Sequence, residues 1–323
     1  MAGLPKVPGP RLLPFDFNED RDDLEFIEFL GKGIHAHVWK VRINQREYAL
    51  KIFPFWKHDE EPILRGLKVS ERESLGYFDP FSCECRAYAR LKENGIEEYA
   101  VKCHGYILLR KKLQEQLKEK DHHDWKEVWG WKRKWARMPL RSLVKDFVEA
   151  DFKAIERAMC TDSISYDDYQ DMLISLSMKD CATGTRLVRA MKSLHRSGIL
   201  VRDLHNENVA HGKFLDFSSA WTSPHPCFTP DMLYANRNNG LAWSDLSVAD
   251  GWAIDHLVDE WNERLGQTAG RIPIRMIRNY NYLMKVRSQD RFNRHTYGVR
   301  CPAEMHNWSA EDKRRWKQLC QQS

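Results

Sequence analysis

Between Leu200 and Ser219 the chain reads LVRDLHNENVAHGKFLDFSS, and no other stretch restricts its fold as tightly. Asp203 and Asn208 follow in the order Asp-x-x-x-x-Asn after a helical run that stops at Gly198. Asp216 follows a short turn centred on His211-Gly212-Lys213. The span from Asn208 to Asp216 has room only for a tight hairpin, so two carboxylates and one amide sit on adjacent loops. Hard oxygen donors gathered in this way suit magnesium–nucleotide chemistry, in which a further carboxylate accepts the proton of an attacking hydroxyl. The bland alternative is a polar loop whose Asp and Asn residues cap turns.

A second constellation lies upstream. Leu30–Val38 reads LGKGIHAHV, a Gly-x-Gly turn between two candidate strands. Glycine there lets the backbone approach phosphate oxygens closely, although many ordinary hairpins carry the same pair. Lys51 falls mid-strand on a face with Ala49 and Phe53, and Glu84 falls on the apolar stripe of a candidate helix with Phe81, Tyr88 and Leu91. A charge in either place is costly unless it is paired or reaches water, so each is expected to satisfy the other.

The hydrophobic pattern places these residues on elements. Strands are expected over Glu25–Leu30, Val38–Ile43 and Glu47–Phe53, the last two joined by a turn at Asn44-Gln45. The stretch Pro54–Pro80 reads as irregular, Pro80–Asn94 as a helix closed by Asn94-Gly95, and Cys103–Leu109 and Leu140–Val148 as two further strands. Beyond residue 149 the pattern turns helical. Leu187, Met191 and Leu194 share one stripe within Lys179–Arg196, and Ile254, Leu257, Val258 and Trp261 another within Asp250–Asn262. A hinge is expected near Lys145–Glu149. Residues 1–23, with Pro5, Pro8, Pro10 and Pro14, read as a flexible tail.

Composition narrows the function classes. The 323 residues suit one large domain or two lobes around a shared cleft, and they are 42% apolar, enough for a core, and 30% charged. A net charge of +5 argues against bulk binding to nucleic acid. The 8 cysteines form no Cys-x-x-Cys pair, so reduced, mostly buried thiols are expected rather than a zinc site. No leader-like segment and no apolar run of about 20 residues appears, which predicts a chain that stays off membranes, in the cytoplasm or nucleus.

In order and residue type, these motifs resemble the protein-kinase superfamily from about Leu24 to about Leu265. The resemblance implies an α+β, two-lobed protein-kinase-like fold: a small antiparallel β-sheet lobe plus helix (24–148), and a larger, mainly α lobe in reduced form (149–323). It implies ATP and Mg²⁺ as cofactors. Gly31 and Gly33 look like the glycine-rich loop and Val38 like the residue over adenine, with Ala49 and Lys51 in the Val-Ala-Ile-Lys strand. Lys51 would contact the α- and β-phosphates and pair with Glu84, Asp203 would orient or deprotonate the acceptor hydroxyl, and Asn208 and Asp216 would bind metal. Asp250-Gly251-Trp252 looks like the start of the helix that anchors the catalytic loop. The chain departs from the pattern at Ala36, Val201 and Ser218, and it has no Ala-Pro-Glu between Asp216 and Asp250.

Two relatives compete. The run CRAYARL, the compact GKFLDFSSAWTSPH segment and the short large lobe look like a divergent fungal kinase-like family that includes a kinetochore-complex subunit. Asp203-Leu204-His205-x-x-Asn208 also fits the loop of aminoglycoside and choline phosphotransferases. The resemblance therefore implies phosphate transfer to a protein Ser or Thr. The alternatives are a weakly active or inactive scaffold in a chromosome-associated assembly and a small-molecule kinase. ATP and a protein substrate or complex partner are the expected partners.

Other features read more plainly. The insert 110–138 mixes Trp125, Trp129, Trp131 and Trp135 with Lys and Arg, a pattern that binds nucleic acid in some proteins. Packing of a Trp-striped helix on the small lobe is the preferred reading. Asp121-His122-His123-Asp124 reads as a solvated turn, and His35 and His37 read as facing solvent. Thr222, Ser223 and Thr229 qualify as phosphorylation sites by residue type alone.

Overall fold

The computed structural model describes residues 3–56, 69–120, 138–148, 186–187, 189–228, 250 and 253–254. The chain divides into two compact units, Met1–Val148 with Phe217–Trp221, and Glu149–Asp216 with Thr222–Ser323.

The first unit is mixed α+β, built on a five-stranded antiparallel sheet. Its strands are β1 (Leu24–Lys32), β2 (His37–Ile43), β3 (Arg46–Phe53), β4 (Cys103–Leu109) and β5 (Leu140–Asp146), in the spatial order β1-β2-β3-β5-β4. Strands β2 and β3 meet through Asn44 and Gln45, both at positive φ (46° and 69°), so the expected two-residue turn forms without glycine. Trp39, Val41, Leu50, Ile52, Ile107 and Val144 alternate onto one face, where Leu113 and Leu117 of helix α3 (Lys111–Lys120) join them in one core. The described start of the 110–138 insert thus packs on the sheet through leucines. Trp125, Trp129, Trp131, Trp135 and the His122-His123 turn lie outside the described residues.

The opposite face carries Ala49, Lys51 and Phe53 of β3 across from Lys145, Leu143 and Arg141 of β5. Helix α2 (Pro80–Glu93) is tied to this face by ion pairs from both strands. Pro80 sits at its first turn, Asn94 caps it and Gly95 follows at φ +61°, as the sequence predicts. Phe81, Glu84, Tyr88 and Leu91 are all buried.

Three expectations are corrected in this unit. Pro54–Pro80 is not irregular throughout, because Glu71–Tyr77 forms helix α1. Its start is a capping box: the Ser70 hydroxyl accepts from the Glu73 N–H and the Glu73 carboxylate accepts from the Ser70 N–H. His37 does not face solvent. It is 2% exposed and lies edge-on to Phe29, because β2 begins one residue earlier than its pattern implies. Residues 3–23 are no free tail either. Tyr77 Oη and Arg86 Nη1 both donate to the Pro8 carbonyl, Leu12 is buried, and the Phe15 N–H donates to the Tyr106 carbonyl on β4.

In the second unit a helical run through 189–196 ends at Gly198 and feeds the two-residue strand β6 (Ile199–Leu200). Leu187, Met191 and Leu194 are buried along one stripe. Strands β7 (Val209–Ala210) and β8 (Lys213–Phe214) then form the tight hairpin that the Asn208–Asp216 spacing requires. His211 and Gly212 make its turn, both at positive φ. Within Asp250–Asn262 the described residues are Asp250, Ala253 and Ile254, of which Asp250 and Ile254 are buried.

Candidate functional site

Each unit brings together part of the predicted site. In the first, Lys51 Nζ lies 2.6 Å from Glu84 Oε2, and the two side chains are 7% and 0% exposed. The β-strand alternation that puts Lys51 beside Ala49 and the helical stripe that puts Glu84 beside Phe81 and Tyr88 meet at this contact. Sequence reasoning missed that Glu84 has a second cation: Lys145 Nζ, also 7% exposed, donates to Glu84 Oε1. Lys145, the first residue of the stretch read as a hinge, is thus a buried ion-pair partner. A third pair lies on the same face, where Arg141 Nη2 reaches Asp79 Oδ1 at 3.0 Å at the start of α2. A lone buried carboxylate would be strongly destabilising; here two carboxylates meet three cations, each within hydrogen-bond range.

Val38 pairs directly with Lys51 across the β2–β3 ladder and, like Ala49, is half-buried. Gly31 ends in register with Val38. The Gly33 N–H donates to the Ala36 carbonyl at 2.9 Å, which closes the loop tip and commits that amide within the chain. A side chain at Gly33 would meet nothing nearer than 3.9 Å, so space does not demand glycine there. Ile34, at the tip, is 94% exposed.

Phe217 belongs to the first unit. It is fully buried and stands edge-on to Tyr88 at 5.3 Å, one helical turn beyond Glu84. Trp221 packs likewise on Phe78 at 6.2 Å.

In the second unit the loop bearing Asp203 is held from below by Asp250. That carboxylate accepts from the Val201 N–H at 2.8 Å and the Arg202 N–H at 2.7 Å, and lies 3.0 Å from His195 Nε2. Since an ionised carboxylate can only accept, Nε2 is the protonated nitrogen of His195. Asn208 Nδ2 donates to the Asp203 carbonyl at 2.9 Å and lies 2.9 Å from His205 Nε2. This commits the amide nitrogen and leaves the Oδ1 oxygen as the atom suited to a metal. The Leu215 N–H donates to the Asn208 carbonyl at 2.8 Å, which sets Asp216 one residue beyond that contact. Among the described residues no three His, Cys, Asp or Glu side chains gather at metal-binding range, so any hard-cation site here would combine Asn208 and Asp216 with a ligand's own oxygens.

Thr222 and Ser223 are each 1% exposed, which is a poor setting for a phospho-acceptor, and Thr229 lies outside the described residues. Cys83, Cys85, Cys103 and Cys227 are buried free thiols. Burial pushes the Cys103 thiol up to about 12 and Cys85 well above its ordinary value, so both are inert at neutral pH. Among the described residues no helix is long and apolar enough to cross a membrane.

Fold and site together define a mixed α+β protein whose sheet carries a buried face of paired charges, with a second unit that presents Asp203 and Asn208 on one anchored loop. The family model for kinetochore Sim4 complex subunit FTA2 matches residues 1–221, and the chain belongs to that family. A comparison with curated proteins gives no match.

Proposed function

We propose that this chain is a structural subunit of a kinetochore protein complex, acting in the nucleus, and that it uses a divergent, two-lobed kinase-like fold as a scaffold. The family membership carries this reading. The site geometry supports the kinase-like part: strand order β1-β2-β3-β5-β4, a helix between β3 and β4, and a Lys51–Glu84 pair beneath the sheet. The scaffold part draws on polar groups that already have partners within the chain. Glu84 is held by two lysines, and the Gly33 amide is spent on Ala36. Partners would therefore be other subunits of the complex.

The test is cellular. The tagged chain is expected to form centromeric foci and to co-purify with kinetochore subunits, and an Asp203→Asn variant should support chromosome segregation as well as wild type. Diffuse localisation, or loss of segregation fidelity in Asp203→Asn, would overturn the scaffold reading.

A second reading is kept because one observation favours it. Asp203, Asn208 and Asp216 stand on one loop-and-hairpin unit with Asn208 bonded back to Asp203. In that reading the chain transfers phosphate from Mg·ATP to a protein Ser or Thr, or to a small molecule. Asp203 would receive the hydroxyl proton, and Asn208 and Asp216 would hold the metal. Phosphate transfer to a panel of peptides and small molecules, abolished by Asp203→Asn, would establish it.

A further inference from the structure

Glu84 is completely buried and both of its oxygens are engaged, Oε2 by Lys51 and Oε1 by Lys145. The strand register makes this possible. Ala49 pairs with Lys145 and Lys51 with Leu143, so the two lysines rise from neighbouring strands on the same sheet face, offset by one pleat. Both then reach the same turn of α2. Lys145 has a second contact on that helix, its Nζ lying 5.1 Å from the centre of the Tyr88 ring, one turn beyond Glu84. Tyr88 in turn packs on Phe217. Strand β5 also grips the start of α2 through Arg141 and Asp79. The middle and the beginning of the helix are thus fastened to β5, and β3 adds one more tie at the middle.

We propose that Lys145 is a positioning residue that holds Glu84, and with it α2, in the paired arrangement whether or not Lys51 is engaged elsewhere. A single Lys–Glu pair in a dry site must stay closed, since turning the lysine toward any other group strands a buried carboxylate. With Lys145 in place, Lys51 can change partners while Glu84 keeps a cation. The helix position is then a fixed property of the chain rather than a response to ligand. This inference stands on the geometry of the first unit and does not depend on whether nucleotide binds.

Full-length Lys51→Met, Lys145→Met, the double variant, and the double variant with Glu84→Gln test it by thermal melting and hydrogen exchange of α2 amides. Methionine keeps the stem volume of lysine and removes the charge. Each single variant should fold and keep α2 protected. The double variant should melt below the sum of the single shifts by about 3 °C or more, as for contacting residues that share one partner, with loss of α2 protection. Glu84→Gln should restore most of that excess, because an amide in a dry site costs far less than an unpaired charge. If the double variant does not fold, recovery of folded protein on adding Glu84→Gln supports the proposal equally. Additive shifts, no recovery with Glu84→Gln, or a Lys145→Met single variant that falls as far as the double would each overturn it.

Discussion

Asp250 organises the loop before Asp203 with one side chain. Arg202 sits at φ +67°, a conformation that a non-glycine residue adopts only when its surroundings impose it. The imposing group is the Asp250 carboxylate, 2% exposed, which accepts two consecutive backbone N–H groups and faces His195. Asparagine in its place keeps the shape but offers one acceptor oxygen and turns an NH₂ toward a group that already donates. Asp250→Asn is therefore expected to cost about 2–3 kcal/mol, the range for a lost charge-assisted hydrogen bond with an unsatisfied buried donor left behind. Urea titration checks the magnitude, and faster exchange of the Val201 and Arg202 amides locates it. At this scale the sequence was readable where a residue was out of place against its own neighbours. Lys51 in an apolar strand and Glu84 on an apolar stripe each demanded a partner, and they proved to be partners of each other. Lys145 raised no such alarm, because it falls near the end of its strand, where a lysine ordinarily reaches water. Its role follows only from the register of β3 against β5, a pairing between residues far apart in the chain. His37 was misread for a related reason: one added residue at the start of β2 turned it inward.

Among the elements, the segment before β1 departs most from its composition. Four prolines and an acidic run read as a solvated tail, yet this segment runs along α1, α2 and β4. Proline is compatible with that role, because a strap along a sheet edge needs few of its own N–H donors. Strand β4 is an outer strand of the sheet, and the Pro14–Tyr106 bridge covers part of its edge. Two glycines make the approach possible. A Cβ on Gly105, at φ +142°, would lie 2.6 Å from the Phe15 nitrogen, and a Cβ on Gly76 would lie 2.6 Å from a Val7 methyl. The first clash is with backbone and cannot be relieved by a side chain; the second can. Gly76→Ala is accordingly expected to loosen residues 4–15, seen as faster proteolysis there and a melting temperature lower by several degrees. Val7→Ala in the same chain should restore much of the loss. A strap that does not need this contact would leave Gly76→Ala indistinguishable from wild type. Neither glycine identified itself in the sequence, since the demand on each comes from a segment remote along the chain. Helix α1 is a different case: Ser70-Glu71-Arg72-Glu73 is a capping-box sequence, legible in principle, but the prolines and charges around it drew the reading toward loop.

For the molecule as a whole, the central matter is whether the buried charges of the first unit wait for a ligand or are complete without one. Helix α3 closes one face of its sheet, and the ion pairs of α2 occupy much of the other. The strap ties the edge. Buried carboxylates paired within their own chain suit a part that must keep one shape within a larger assembly. Ligand linkage measures this directly. A ligand present at a hundredfold excess over its dissociation constant stabilises the native state by about 2.7 kcal/mol, or roughly 5–10 °C for a domain of 150–250 residues. In the scaffold reading, millimolar Mg·ATP moves the melting temperature of the full-length chain by less than about 2 °C, and Lys51→Met shows the same small response. A rise of 5 °C or more in wild type, lost in both Lys51→Met and Asp216→Asn, would mean that nucleotide binding draws on both residues. The ion pairs around Glu84 would then be the resting state of a phosphotransfer site rather than the finished interior of a scaffold.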